Sequence, residues 1–156
     1  MERRSDVSGS LMISALVPRP AGGVWIGTQQ GLFQADSAGR VSRLGPETSM
    51  AVEALATAGG GSLWMKSSDA IYRVGVDGRL DRVTTLDSQP VASYTRSTLL
   101  ADGDAGLWQG IPGRGLVRVD ARTGHQRWQH SIRGLPGALP EDSITALLLD
   151  RSGLLW

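Results

Sequence analysis

The stretch GGVWIGTQQGLFQAD, Gly22 to Asp36, sets a tryptophan in a short apolar run, follows it with a polar turn and a second apolar run, and offers no residue of catalytic type. The arrangement recurs. Aligning Trp25, Trp64, Trp108 and Trp156 brings a glycine within three residues ahead of each, in GGVW, GGSLW, AGLW and SGLLW. Upstream of each tryptophan lies an apolar segment of one form: ISALV from Ile13, VEALA from Val52, STLLA from Ser97 and ITALLL from Ile144. Downstream, GLFQAD from Gly31, AIYRVG from Ala70 and GLVRVD from Gly115 keep one order of apolar and polar positions. A last segment, SAGRVSRL, VDGRLDRV or RTGHQRW, places glycine ahead of a mixed polar and apolar run.

Each unit therefore reads as four short strands of about five residues separated by Gly, Asp and Ser turns, with no segment of helical period. The tryptophans stand 39, 44 and 48 residues apart, close to the roughly 40–50 residues of a four-stranded propeller blade. The fold class expected is all-β: a partial β-propeller with three four-stranded antiparallel blades and the start of a fourth. The units divide as a polar lead-in over residues 1–12, repeats over 13–51, 52–97 and 98–143, and a truncated fourth repeat over 144–156. A blade must bury both sheet faces against its neighbours. Trp25, Trp64, Trp108 and Trp156 are thus expected to fill the wedges between blades, and the turn glycines to supply positive φ. Trp156, in the truncated repeat, is expected to be far less buried than Trp64.

Composition narrows the function. The chain has 156 residues and a formal net charge of +1, with both signs interspersed, so no one-signed surface recommends nucleic acid or an anionic membrane. It has no cysteine, which removes disulfides, thiolate metal sites and cysteine nucleophiles. The apolar run LMISALV before Pro18 is too short to span a membrane and lacks a signal-peptidase-like site. It fits the first strand of the repeat. Of the basic side chains, 15 are Arg and one, Lys66, is Lys.

GGVWIGTQQGLFQAD together with ITALLLDRSGLLW resembles the two-component regulator propeller repeat, and the resemblance runs from Ile13 to Trp156. The first repeat keeps Trp-Ile-Gly-Thr, the third Gly-Leu-Val-Arg-Val-Asp and the fourth Asp-Arg-Ser-Gly-Leu-Leu-Trp; the second departs, with WMKSSDAIY, so a differently bent turn is expected there. The resemblance implies a non-catalytic, ligand-sensing part of a bacterial signal-transduction sensor on the periplasmic side. It implies no cofactor, a small-molecule or carbohydrate-derived ligand, and as partners further propeller repeats and a downstream signalling domain. Open terminal blade faces add an expectation of self-association and marginal stability.

Lettering the strands a to d outward from the axis, the b–c turns and d–a connections share one rim, and the d–a connections vary most in length. Variable loops converging on one rim are where binding residues are displayed. The ligand-binding candidates are Gln29, Gln30, Ser68, Asp69, Tyr94, Arg96 and Arg114. A structural or protein-interaction scaffold is the alternative. A more distant relationship is raised by Asp120, Thr123, Gly124 and Trp128, which resemble the blade-docking pattern of pyrroloquinoline-quinone propellers. Asp102 and Asp104 lack the further oxygen ligands of a calcium loop, His125 and His130 have no metal-ligand spacing, and no Gly-x-Ser-x-Gly elbow occurs. Catalytic and metal-binding residues are therefore assigned to none.

Overall fold

The computed structural model describes residues 12–86, 98–130, 136 and 138–156. Twelve strands form three separate four-stranded antiparallel sheets, each built from strands consecutive in sequence. Blade 1 contains β1 (Ile13–Pro18), β2 (Val24–Thr28), β3 (Gly31–Ala35) and β4 (Val41–Arg43). Blade 2 contains β5 (Ala54–Thr57), β6 (Leu63–Lys66), β7 (Ala70–Val74) and β8 (Leu80–Thr85). Blade 3 contains β9 (Thr98–Asp102), β10 (Gly106–Ile111), β11 (Gly115–Asp120) and β12 (Gln126–Gln129). Between blades it is the innermost strands that meet, β1 against β5 and β5 against β9.

Two cores lie between the blades. Trp25, Leu32, Leu44, Val52, Leu55, Leu63, Met65, Ala70, Tyr72 and Val74 fill the joint of blades 1 and 2. Ala56, Trp64, Ile71, Leu107, Ile111, Val117 and Val119 fill the joint of blades 2 and 3. Because side chains alternate across a strand, neighbours in β6 serve different joints: Trp64 faces blade 3 and Met65 faces blade 1. Trp64 is 0% exposed and Trp156 is 68% exposed, as the repeat register predicts.

Main-chain contacts lock the blades at both radii. Near the axis the Val52 amide donates to the Thr28 carbonyl at 2.9 Å. That bond draws Val52 across to blade 1, and the second repeat's inner strand begins at Ala54 rather than at Val52. At the periphery a turn glycine seats each blade on the one before it. A Cβ at Gly78 (φ +84°) would run into the Leu44 carbonyl oxygen, and one at Gly124 (φ +69°) into that of Val83. Gly39, at the same place in blade 1, meets nothing within 4 Å. The Asp120–Gly124 turn is held by the Asp120 carboxylate, which accepts from the Thr123 amide and hydroxyl, both at 2.7 Å, and from the Arg122 amide at 3.0 Å. Gln126 reaches back from blade 3 to Thr84 and Thr85 at 3.1 Å. This segment is a blade lock, which accounts for its likeness to a docking pattern.

The fourth repeat is smaller than its sequence predicts. ITALLL carries no strand ladder; a single bridge pairs Leu149 with Leu155, flanked by reciprocal bonds between Leu148 and Trp156 at 2.8 and 2.9 Å. The turn of this ribbon is closely bonded. Asp150 accepts from the Ser152 and Leu154 amides, the Ser152 hydroxyl and the Trp156 indole N–H. Those donors, the Ser152 hydroxyl foremost, hold its carboxyl well below the ordinary value of 3.8.

Two outcomes follow. Trp64→Ala is expected to destabilise the chain by about 3–5 kcal/mol, as for other large core truncations, and Trp156→Ala by far less, both read by chemical denaturation. Because Asp150 titrates lower in the folded hairpin than in the unfolded chain, its contribution is complete well above pH 3.8 and is lost as the pH falls through and below that value. The indole N–H resonance of Trp156 should shift over that acidic window, and Asp150→Asn should remove the shift.

Candidate functional site

The turns between second and third strands, Gln29–Gln30, Ser67–Asp69 and Pro112–Arg114, fall on one rim because the up-and-down topology alternates turns between the two ends of each sheet. A side-chain hydroxyl closes the first two. Thr28 donates to the Gly31 carbonyl at 2.8 Å and accepts from the Gln30 amide at 3.1 Å. Ser67 accepts from the Ala70 amide at 3.2 Å and lies 2.5 Å from the Asp69 carboxylate. The departure of WMKSSDAIY from the repeat therefore preserves the hydroxyl closure. Serine replaces threonine, and Ala70 pairs at the turn where blade 1 uses Gly31 at φ +132°.

Five of the seven predicted binding residues are described, and all five occupy this rim. Gln29, Gln30, Ser68 and Asp69 are exposed and Arg114 is half-buried. The Gln30 carbonyl accepts from Arg43 at 2.8 Å. Asp69 faces Arg82 at 3.8 Å, and its carbonyl accepts from the Leu86 amide at 2.7 Å. The Arg114 guanidinium lies over Trp128, 5.4 Å from the ring centre, and Trp128 stacks on His130 at 5.6 Å. Tyr94 and Arg96 lie outside the described residues. Each turn is tied within its own blade; among the described residues no hydrogen bond or ion pair joins one of these turns to another.

Three polar residues escape the sequence reading and gather at the joint of blades 2 and 3. Lys66, 6% exposed, is paired with Glu53 and also donates to the Ser67 carbonyl at 3.3 Å. Gln109 is 0% exposed and neither atom of its amide has a partner. Both stand out against the repeat register. Lys66 occupies the column of Gly27 and Gly110, and Gln109 the column of Ile26 and Met65. Since Trp64 and Ile111 belong to the joint of blades 2 and 3, Lys66, two residues after Trp64, and Gln109, two residues before Ile111, face that joint as well.

Among the described residues no group of three or more His, Cys, Asp or Glu side chains is placed to hold a metal ion. Among the described residues no helix is long and apolar enough to cross a membrane.

No family model matches the chain, and neither does any curated protein. Solved structures do. The extracellular domain of BT3049, described as a hybrid two-component system of B. thetaiotaomicron, aligns with 100% of this chain at a TM-score of 0.68 and 18% identity. That of BT4673 from the same organism aligns with 94% at 0.66 and 19% identity. The fold is that of a β-propeller arc. The chain spans about a fifth of each sensor domain, 22% and 19% of their lengths. A catalytically inactive virginiamycin B lyase from Staphylococcus aureus, crystallised with quinupristin, shares the arc too, over 92% of this chain and 47% of its own, at 0.66 and 15% identity. The same blades thus occur in sensor domains and in an enzyme, and the arc alone does not decide between the two.

Ser67→Ala removes the hydroxyl that closes the second turn and leaves the buried Ala70 amide with one partner fewer. It is expected to lower stability by about 1–3 kcal/mol without altering the β-rich circular dichroism, measured by urea titration.

Proposed function

We propose that this chain is a non-catalytic, ligand-sensing segment of an extracytoplasmic bacterial sensor propeller. The observation that carries the reading is the rim. The turns holding Gln29, Gln30, Ser68, Asp69 and Arg114 lie at one end of three rigid sheets. Polar side chains held on short closed turns can meet a ligand with little further ordering cost. The neighbours' placement as extracellular domains of two-component systems supports the same reading. Tyr94 and Arg96 belong to this proposed rim by sequence position. The partners proposed are a small extracellular ligand, further propeller repeats against the open blade faces, a downstream signalling domain and, in their absence, a second copy of the chain.

A thermal-shift screen of small extracellular metabolites tests it. A true ligand at a hundred times its Kd should stabilise the chain by about 2.7 kcal/mol, and the combined variant Gln29→Ala, Asp69→Ala, Arg114→Ala should lose the shift while melting normally alone. A ligand consumed by the purified chain would overturn the non-catalytic reading, and a shift untouched by the rim variant would move the site away from the rim.

A further inference from the structure

The two blade joints are built on one plan, yet only the second buries a lysine and an unpaired carboxamide. In the joint of blades 1 and 2 the Gly27 column has no room for a side chain: a Cβ there would stand 2.7 Å from Val52 Cγ1 and 3.3 Å from Leu55 Cδ1. Gly110 is crowded in the same way, with the Thr98 hydroxyl 2.5 Å from such a Cβ. Lys66 places a long unbranched side chain in that column and remains 6% exposed, so the joint of blades 2 and 3 houses a cation where the Gly27 and Gly110 columns have no room for a side chain. The wall opposite carries Gln109 in place of an apolar residue. The register places Lys66 and Gln109 on facing walls of one joint. Leu55 is the direct cross-strand partner of Met65 and also the neighbour of the Gly27 column; the residue paired with Gln109 in the same way is Leu99, which packs against the core of this joint.

A fully buried primary amide with no partner opposes folding, and an apolar side chain serves at the equivalent place, Met65. The Lys66 partner has the opposite character, since the Glu53 side chain is 41% exposed and can turn to water. An incoming carboxylate can replace Glu53 at the ammonium without adding net charge to the joint, while its second oxygen accepts from the free Gln109 N–H. We propose that the inner end of the joint between blades 2 and 3 is a binding site for a small-molecule carboxylate, which displaces Glu53 from Lys66 and is held by Gln109. This rests on the ligand-sensing reading above and gives its ligand a chemical class. It also gives binding a mechanical consequence, because Glu53 adjoins β5, the inner strand that meets both neighbouring blades.

Titration of the full chain with acetate, followed by the Gln109 side-chain amide and Lys66 ammonium resonances, tests the site; acetamide and sodium chloride at matched ionic strength serve as controls. Acetate alone should move both signals. Glu53→Gln, which removes the tethered competitor, should tighten acetate about tenfold or more, and Lys66→Met should abolish the response. Gln109→Met, which copies Met65, should keep the fold, raise stability and weaken acetate, and it carries the test if Lys66→Met does not fold. A folded Glu53→Gln chain that responds to acetate no more than to chloride overturns the proposal, as does a Gln109→Met chain that binds acetate like the parent. Failure of the sensing reading is separate. A ligand whose thermal shift depends on the rim variant and not on Gln109 would leave sensing intact and sink this site. Acetate held at Gln109 by a receptor whose output ignores every ligand would sink the sensing reading alone.

Discussion

A four-stranded blade has two apolar faces and no interior, so it is stable only when a neighbour covers it. Every other feature of this chain follows from how that cover is made. Trp25 and Trp64 fill the inner wedge from one side and Met65 and Ile111 return from the other, while glycines at the rim of the sheet let one blade's turn rest on the previous blade's carbonyls. Arg73 extends the principle across the joint: it lies over Trp64 at 5.6 Å and reaches Asp104 of blade 3 at 3.1 Å. Outside the three sheets, Leu148, Leu154 and Trp156 face solvent.

The two joints show how far a repeat can depart from its own plan. Joint one is filled by apolar side chains, and its inner polar groups, the Thr28 carbonyl and the Val52 amide, are bonded to each other. Joint two accepts an ammonium, its carboxylate and an unpaired carboxamide, groups whose burial opposes folding unless each finds a partner. Its outer half compensates with Gln126 bonded to Thr84 and Thr85 and Gly124 seated on Val83. The chain is thus strongest at the periphery of this joint and most polar near its inner end, the arrangement expected where a joint carries a task besides cohesion.

The rim follows a different logic. Its turns are closed by Thr28 and Ser67 within their own blades, so the exposed side chains of Gln29, Gln30 and Ser68 are presented outside those bonds, while the Asp69 carboxylate joins the Ser67 closure and faces Arg82. Arg114 is the exception: its guanidinium is engaged with Trp128. Rim and joint are therefore complementary, one presenting side chains to solvent and the other holding polar groups out of it.

Period and pattern alone determined the all-β class, the three blades, the four strands in each and the burial of Trp25 and Trp64 between blades; Trp108 is only half-buried and lies in neither core. The properties so determined are local or repeating: alternation sets which face a residue takes, and a fixed spacing sets which blade it belongs to. The tertiary structure decided what depends on contacts between repeats. It moved the start of the second inner strand from Val52 to Ala54 through a bond to Thr28. Among the described residues it gave ITALLL one bridge, from Leu149 to Leu155. It also turned the Asp120–Gly124 motif into a clasp on Val83. Lys66 and Gln109 lie between these cases. Their misfit with the Gly and apolar columns is visible in the alignment, but strands of two consecutive blades had to be packed face to face before the two misfits fell in a single joint.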